Sequence, residues 1–178
     1  MKRTTLAIAV AAMVISSSAF AQSVGEKTGV NSTLGISPTT ADFVKEAALS
    51  DMTEIAASKL GEERGTPQEK TFASQMITDH TKTSEELKAM APLEAKGAIP
   101  TALDSTSQSK LDKLKNAKPD DFASDFDSMQ VTAHKDAVSL FERYAKGGDD
   151  PKLKDWAGKT LPTLRHHLEM AQNLGKTK

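Results

Sequence analysis

His80, His134 and His167 stand on three different segments of helical periodicity, and Glu54 stands on a fourth. His80 falls on the stripe Phe72, Met76, His80, Thr83, Leu87, Met90, whose steps alternate between four and three. His167 lies between Leu164 and Ala171 on an apolar stripe, and His134 follows Gln130 by one helical step near the edge of another. Glu54 shares its azimuth with Phe43 and Ala47, where a core helix would ordinarily be apolar. One carboxylate and three imidazoles meeting inside a bundle form a donor set suited to Fe, Mn, Cu or Zn. Asp79 is next to His80 but points about 100° away on a helix, so it is either a second ligand or an acceptor that orients one. A metal-free reading is equally open. Buried polar groups need partners, and Glu54 paired with a histidine would form a polar core layer without any ion.

Other candidates are weaker. His166 belongs with Lys159, Thr163 and Asn173 on a polar face. Met52, Met76, Met90 and Met129 read as core filling rather than as soft-metal ligands. The chain has no cysteine, hence no thiol nucleophile, and it carries no glycine-rich phosphate loop, GxSxG or HExxH motif.

The elements that must position these residues are four long helices. The first is predicted over 39–60, ending at Gly61. The second starts at Thr66-Pro67-Gln68-Glu69, which combines a cap, a proline suited to the first turn and a capping-box glutamate, and it runs to about residue 91 before Pro92. A third is predicted over 120–146, ended by Gly147-Gly148, and a fourth begins at Asp149-Asp150-Pro151. Pro162 inside the fourth removes a backbone donor, so a kink or a break is expected there. Residues 92–118, with three prolines or glycines, a Ser/Thr patch and a helical stretch at 110–116, read as a long crossover. Two hairpins joined by a long link give an all-α, ferritin-like four-helix bundle in preference to a simple up-down-up-down arrangement. Glu54, His80, His134 and His167 each lie near the middle of their own helix, so they would meet in one layer.

The N-terminus indicates export. Lys2 and Arg3 precede an apolar run over 6–15, followed by serines and Ala19-Phe20-Ala21, the order of a cleaved signal peptide. Residues 1–21 are therefore expected to be removed, 22–37 to form a flexible tether, and 38–178 to form the bundle domain in the periplasm. Loss of Lys2 and Arg3 takes the formal charge from −1 to −3, which speaks against a nucleic-acid partner. The apolar run is too short for a membrane span.

The segment Phe72-Ala73-Ser74-Gln75-Met76-Ile77-Thr78-Asp79-His80 with Glu86-Leu87 is the most specific part of a resemblance. It is joined by Ala47 and Glu54, by His134 within MQVTAHKDAVSLF, and by LPTLRHHLEMA from Leu161 to Ala171. Together these resemble a bacterial family of exported, ferritin-like proteins catalogued as a domain of unknown function and often labelled outer membrane proteins. The resemblance covers about residues 38–175. It implies a ferritin-like bundle, export, and Glu54, Asp79, His80, His134 and His167 as recurrent polar positions, but no activity. The chain departs from di-iron ferritins, because Ile77, Val131 and Leu164 stand where Glu-x-x-His pairs would place glutamates. A mononuclear site, or none, fits these residues better. No strand pattern of a membrane barrel supports the outer-membrane label.

Three functions follow as expectations. The first is a periplasmic bundle that binds a metal ion or serves an envelope stress role. The second is a metal-free interaction module that acts on an envelope protein or as a homo-oligomer. The third is a redox enzyme, which would need an open coordination position.

Overall fold

A computed structural model describes residues 24–26 and 28–176, and the expected signal peptide lies outside them. Among the described residues the fold is all-helical, with no strand. Four long helices carry it: α2 (Thr40–Arg64), α3 (Pro67–Met90), α6 (Pro119–Gly147) and α7 (Pro151–Asn173). Shorter helices are α1 (Val30–Leu34), α4 (Leu93–Lys96) and α5 (Ser105–Lys115), and a 3₁₀ turn closes the chain at Leu174–Lys176. No described helix is long and apolar enough to cross a membrane.

The helix starts follow local chemistry. The Thr66 hydroxyl accepts from the Glu69 amide and the Glu69 carboxylate accepts from the Thr66 amide, a complete capping box at the head of α3. Asp150 accepts from the Leu153 amide at 2.8 Å, with Pro151 in the first turn of α7. Thr39 caps α2 through the Asp42 amide.

Two apolar clusters fill the inside. The first includes Phe43, Val44, Ala47, Leu87, Leu140, Phe141, Tyr144, Leu153, Trp156 and Leu164. The second includes Ala57, Phe72, Met76, Leu111, Leu114, Phe122, Phe126, Ala171 and Leu174. Along the chain, α2 and α7 run from the first cluster to the second, while α3 and α6 run from the second to the first. Each helix must therefore cross the gap between the clusters once. Residues 51–58, 80, 130–134 and 167 lie at that crossing. Packing is closest within the α2–α3 and α6–α7 hairpins, and the link between them carries α4 and α5.

Four local expectations change. Gly61 does not end the first helix. α2 continues to Arg64 and is closed by Gly65, because the missing side chain at Gly61 lets the Phe126 ring press on the backbone. A Cβ there would stand 2.7 Å from that ring. α5 is longer than the stretch read from sequence, because Asp104 accepts from the Ser107 amide at 2.7 Å and starts a helix inside the Ser/Thr patch. Its far end is held by Arg64, which donates to the carbonyls of Leu114, Lys115 and Ala117. α7 continues through Pro162 with no break; that residue lies on the exposed side, while Leu164 and His167 in the turns after it are buried. Finally, part of the segment read as a tether is folded against α6. α1 sits there with Asn31 buried, Ser32 bonds to Ser139 at 3.0 Å, and Glu26 forms an ion pair with Arg143. Sequence composition alone gave no sign of that anchor, because its partner is more than a hundred residues away.

Candidate metal centre

Between the two apolar clusters, His80 of α3, His134 of α6 and His167 of α7 face one another. Their ring centroids form a near-equilateral triangle with sides of 5.6, 5.7 and 5.5 Å. One ring nitrogen from each lies within 4.8 Å of the others. Their exposures are 2%, 1% and 3%, so all three rings are withdrawn from bulk solvent.

Each ring is oriented by its other nitrogen. His80 Nδ1 donates to Asp51 Oδ1 at 2.8 Å, and the other Asp51 oxygen accepts from Thr83 and Ser84 at 3.0 and 3.1 Å. His134 Nδ1 donates to the Gln130 carbonyl at 2.9 Å, one helical turn back. His167 Nε2 donates to Asp79 Oδ2 at 2.9 Å, and Gln75 Nε2 donates to the same oxygen at 2.8 Å. These bonds fix the tautomers. The remaining nitrogens, His80 Nε2, His134 Nε2 and His167 Nδ1, have no hydrogen-bond partner and carry the lone pair in each neutral ring. Imidazoles oriented from behind by carboxylates and a backbone carbonyl are the usual outer support of a metal site. Nitrogens bound to one ion at about 2.1 Å stand roughly 3–3.5 Å apart, so the triad would close on an ion by small ring rotations.

Glu54 of α2 belongs to the same layer. It is 1% exposed, and both carboxylate oxygens lack a bond of full hydrogen-bond geometry. Burial pushes its pKa up to about 7, although the His80 ring and the Gln130 amide support its charge. Burial, with the neighbouring His80 ring, holds His134 down to about 3, against the pull of the Gln130 carbonyl. His167 is lowered by burial more than Asp79 raises it. Burial also works against protonation of His80, but the hydrogen bond and charge of Asp51, with Glu54 and Asp79, outweigh it and raise its pKa. Asp79 is lowered: its partial burial is outweighed by the bonds from Gln75 and His167. The layer thus sets His134 and His167, whose protonation burial opposes, beside His80, whose proton the surrounding carboxylates favour, and a bound divalent cation would take the place of that positive charge.

The structure brings His80, His134, His167 and Glu54 into one layer. Asp79 stands behind His167 rather than beside His80, because neighbouring helical residues diverge and α7 packs on that side of α3. His166 is exposed, and Met76 is in the second cluster. Three members were not singled out by sequence. Asp51, Ser58 and Gln130 are all buried; Ser58 Oγ has no hydrogen-bond partner, and the Gln130 amide faces Glu54 without a bond of full geometry. The available signal was spacing: Asp51, Glu54 and Ser58 continue the stripe of Val44 and Ala47 at steps of three and four. The apolar residues Met52, Ile55 and Ala56 suggested another face, yet they are only half-buried.

Fold and site together define an all-helical protein with a histidine-lined polar layer between two apolar clusters. The chain belongs to the family described as Domain of unknown function (DUF4142), which matches residues 25–174. No curated protein and no solved structure matches it.

Proposed function

We propose that this protein is an exported, ferritin-like four-helix bundle that binds one transition-metal ion at its mid-height. The ligands are His80 Nε2, His134 Nε2 and His167 Nδ1, with Glu54 as the adjacent carboxylate. The observation that carries the reading is the set of unpartnered lone pairs on three buried, separately oriented rings. Left without an ion, each such atom costs roughly 1–3 kcal/mol of desolvation, and a core has little reason to concentrate several in one layer. Three imidazoles and a carboxylate suit Zn, Cu, Fe or Mn in a mononuclear site, and the lack of Glu-x-x-His pairs argues against a di-iron centre. The ferritin-like reading is supported by the helix directions, with α2 and α7 parallel to each other and antiparallel to α3 and α6, and by the long link between the hairpins.

Metal analysis of the purified mature protein after loading tests the site. About one equivalent of Zn²⁺ or Co²⁺ is expected, with a rise in Tm that disappears in a His80→Ala/His167→Ala double variant. Less than about a tenth of an equivalent, with no rise in Tm, would refute it and favour the metal-free interaction module. Export is tested by fractionation and N-terminal sequencing, which should find Gln22 at the terminus of the periplasmic form.

A further inference from the structure

The apolar clusters close the polar layer toward both ends of the bundle. Phe43, Leu87, Leu140, Phe141, Tyr144, Leu153 and Leu164 are on one side, and Phe72, Met76, Phe126 and Ala171 are on the other. A hydrated cation crossing either cluster would have to shed its water among apolar side chains, at a prohibitive cost. Passage must therefore be lateral, between helices. The α2–α3 and α6–α7 seams are the closely packed interiors of the hairpins, and the α2–α6 side carries α5, which packs on both helices. The α3–α7 seam is left uncovered by the crossover.

That seam holds two clefts that share Asp79 and Thr163. The one at the centre has a volume of about 490 Å³ and is lined by Gln75, Asp79, Pro162, Thr163, His166 and His167. His167 is 3% exposed and has an unpartnered ring nitrogen, so one side chain belongs both to the wall of the cleft and to the triad. Its partner Asp79 is partly exposed. Both hydrogen bonds to Asp79 fall on Oδ2, which leaves the lone pairs of Oδ1 for an incoming cation.

We infer that the α3–α7 cleft is the route by which a divalent cation reaches and leaves the buried centre, with Asp79 receiving it and the His167 ring as the last barrier. The inference rests on the metal reading and adds to it a path and a positioning residue.

The test is Co²⁺ uptake by the chelator-stripped protein, followed by visible absorbance in stopped flow, with release chased by excess chelator. Thr163→Trp and His166→Trp, both from the exposed side of α7, each place an indole in the cleft without replacing a ligand or a residue that orients one. Both should slow association and dissociation by about tenfold or more while leaving Kd within about twofold, the signature of a raised barrier between unchanged end states. Ser50→Trp, in the cavity on the α2–α6 side, should leave both rates unchanged. Wild-type rates in both cleft variants, or slowing by Ser50→Trp alone, would overturn the route while leaving the metal site standing. If the wild-type protein takes up no Co²⁺, the metal reading falls and the route with it.

Discussion

Replacing Glu54 by Gln removes one ionisable group from the polar layer while keeping its volume. In the metal-free protein this carboxyl titrates near 7 rather than at its ordinary 4.5, because burial disfavours the charge more than His80 and Gln130 support it. Between those values the unfolded chain has released the proton and the folded chain still holds it, so raising the pH favours unfolding across this window. The loss is complete above about pH 7 and amounts to about 3 kcal/mol, taking 1.36 kcal/mol for each tenfold difference. His134, held down to about 3, has the opposite slope: its stability contribution is lost as pH falls below its ordinary 6.5. Comparing Glu54→Gln with wild type at each pH cancels the His134 contribution to first order. Urea unfolding of chelator-treated protein, followed by helical circular dichroism, should show the two proteins nearly equal at pH 4.5. The variant should be more stable by about 3 kcal/mol at pH 8, with equal m-values. A stability difference that does not change with pH would refute the reasoning, since it would mean that Glu54 is not a buried carboxyl lacking compensation. With Zn²⁺ bound the sign should reverse, because the ion then supplies the compensating charge.

Three further outcomes follow from the same geometry. Asp51→Asn leaves the three ligand nitrogens in place but weakens the hold on His80 Nδ1, and metal affinity by competition with a chromophoric chelator should fall about 10- to 100-fold. Gly61→Ala puts a methyl group 2.7 Å from the Phe126 ring and should cost about 1–3 kcal/mol in urea unfolding; Phe126→Leu in the same chain should recover part of it. Arg143→Met breaks the buried pair with Glu26 and the bond to the Ile36 carbonyl, so protease cleavage should increase within residues 24–37 while the helical signal of the four long helices persists.

The order and type of the long helices follow from local chemistry that is printed in the sequence. Thr66 with Glu69, and Asp150 with Pro151, set helix starts through atoms within three residues of one another, so neither needs the rest of the fold. Histidines on apolar stripes, each near mid-helix, likewise follow from the helical repeat alone. Gly61 and the anchoring of residues 24–37 were not legible, because each depends on a partner distant in the chain: Phe126 in one case and Arg143 in the other.

By itself, then, the sequence determined an all-α chain with a polar residue set into the apolar face of each long helix. Only the tertiary structure decided which way the imidazoles are held. Asp51 binds His80 across the α2–α3 seam, and Asp79 binds His167 across α3–α7 instead of its own neighbour. The reason is directional: helical periodicity fixes which face a residue occupies, whereas a tautomer and a free lone pair are fixed by what a neighbouring helix brings within 3 Å of the opposite nitrogen.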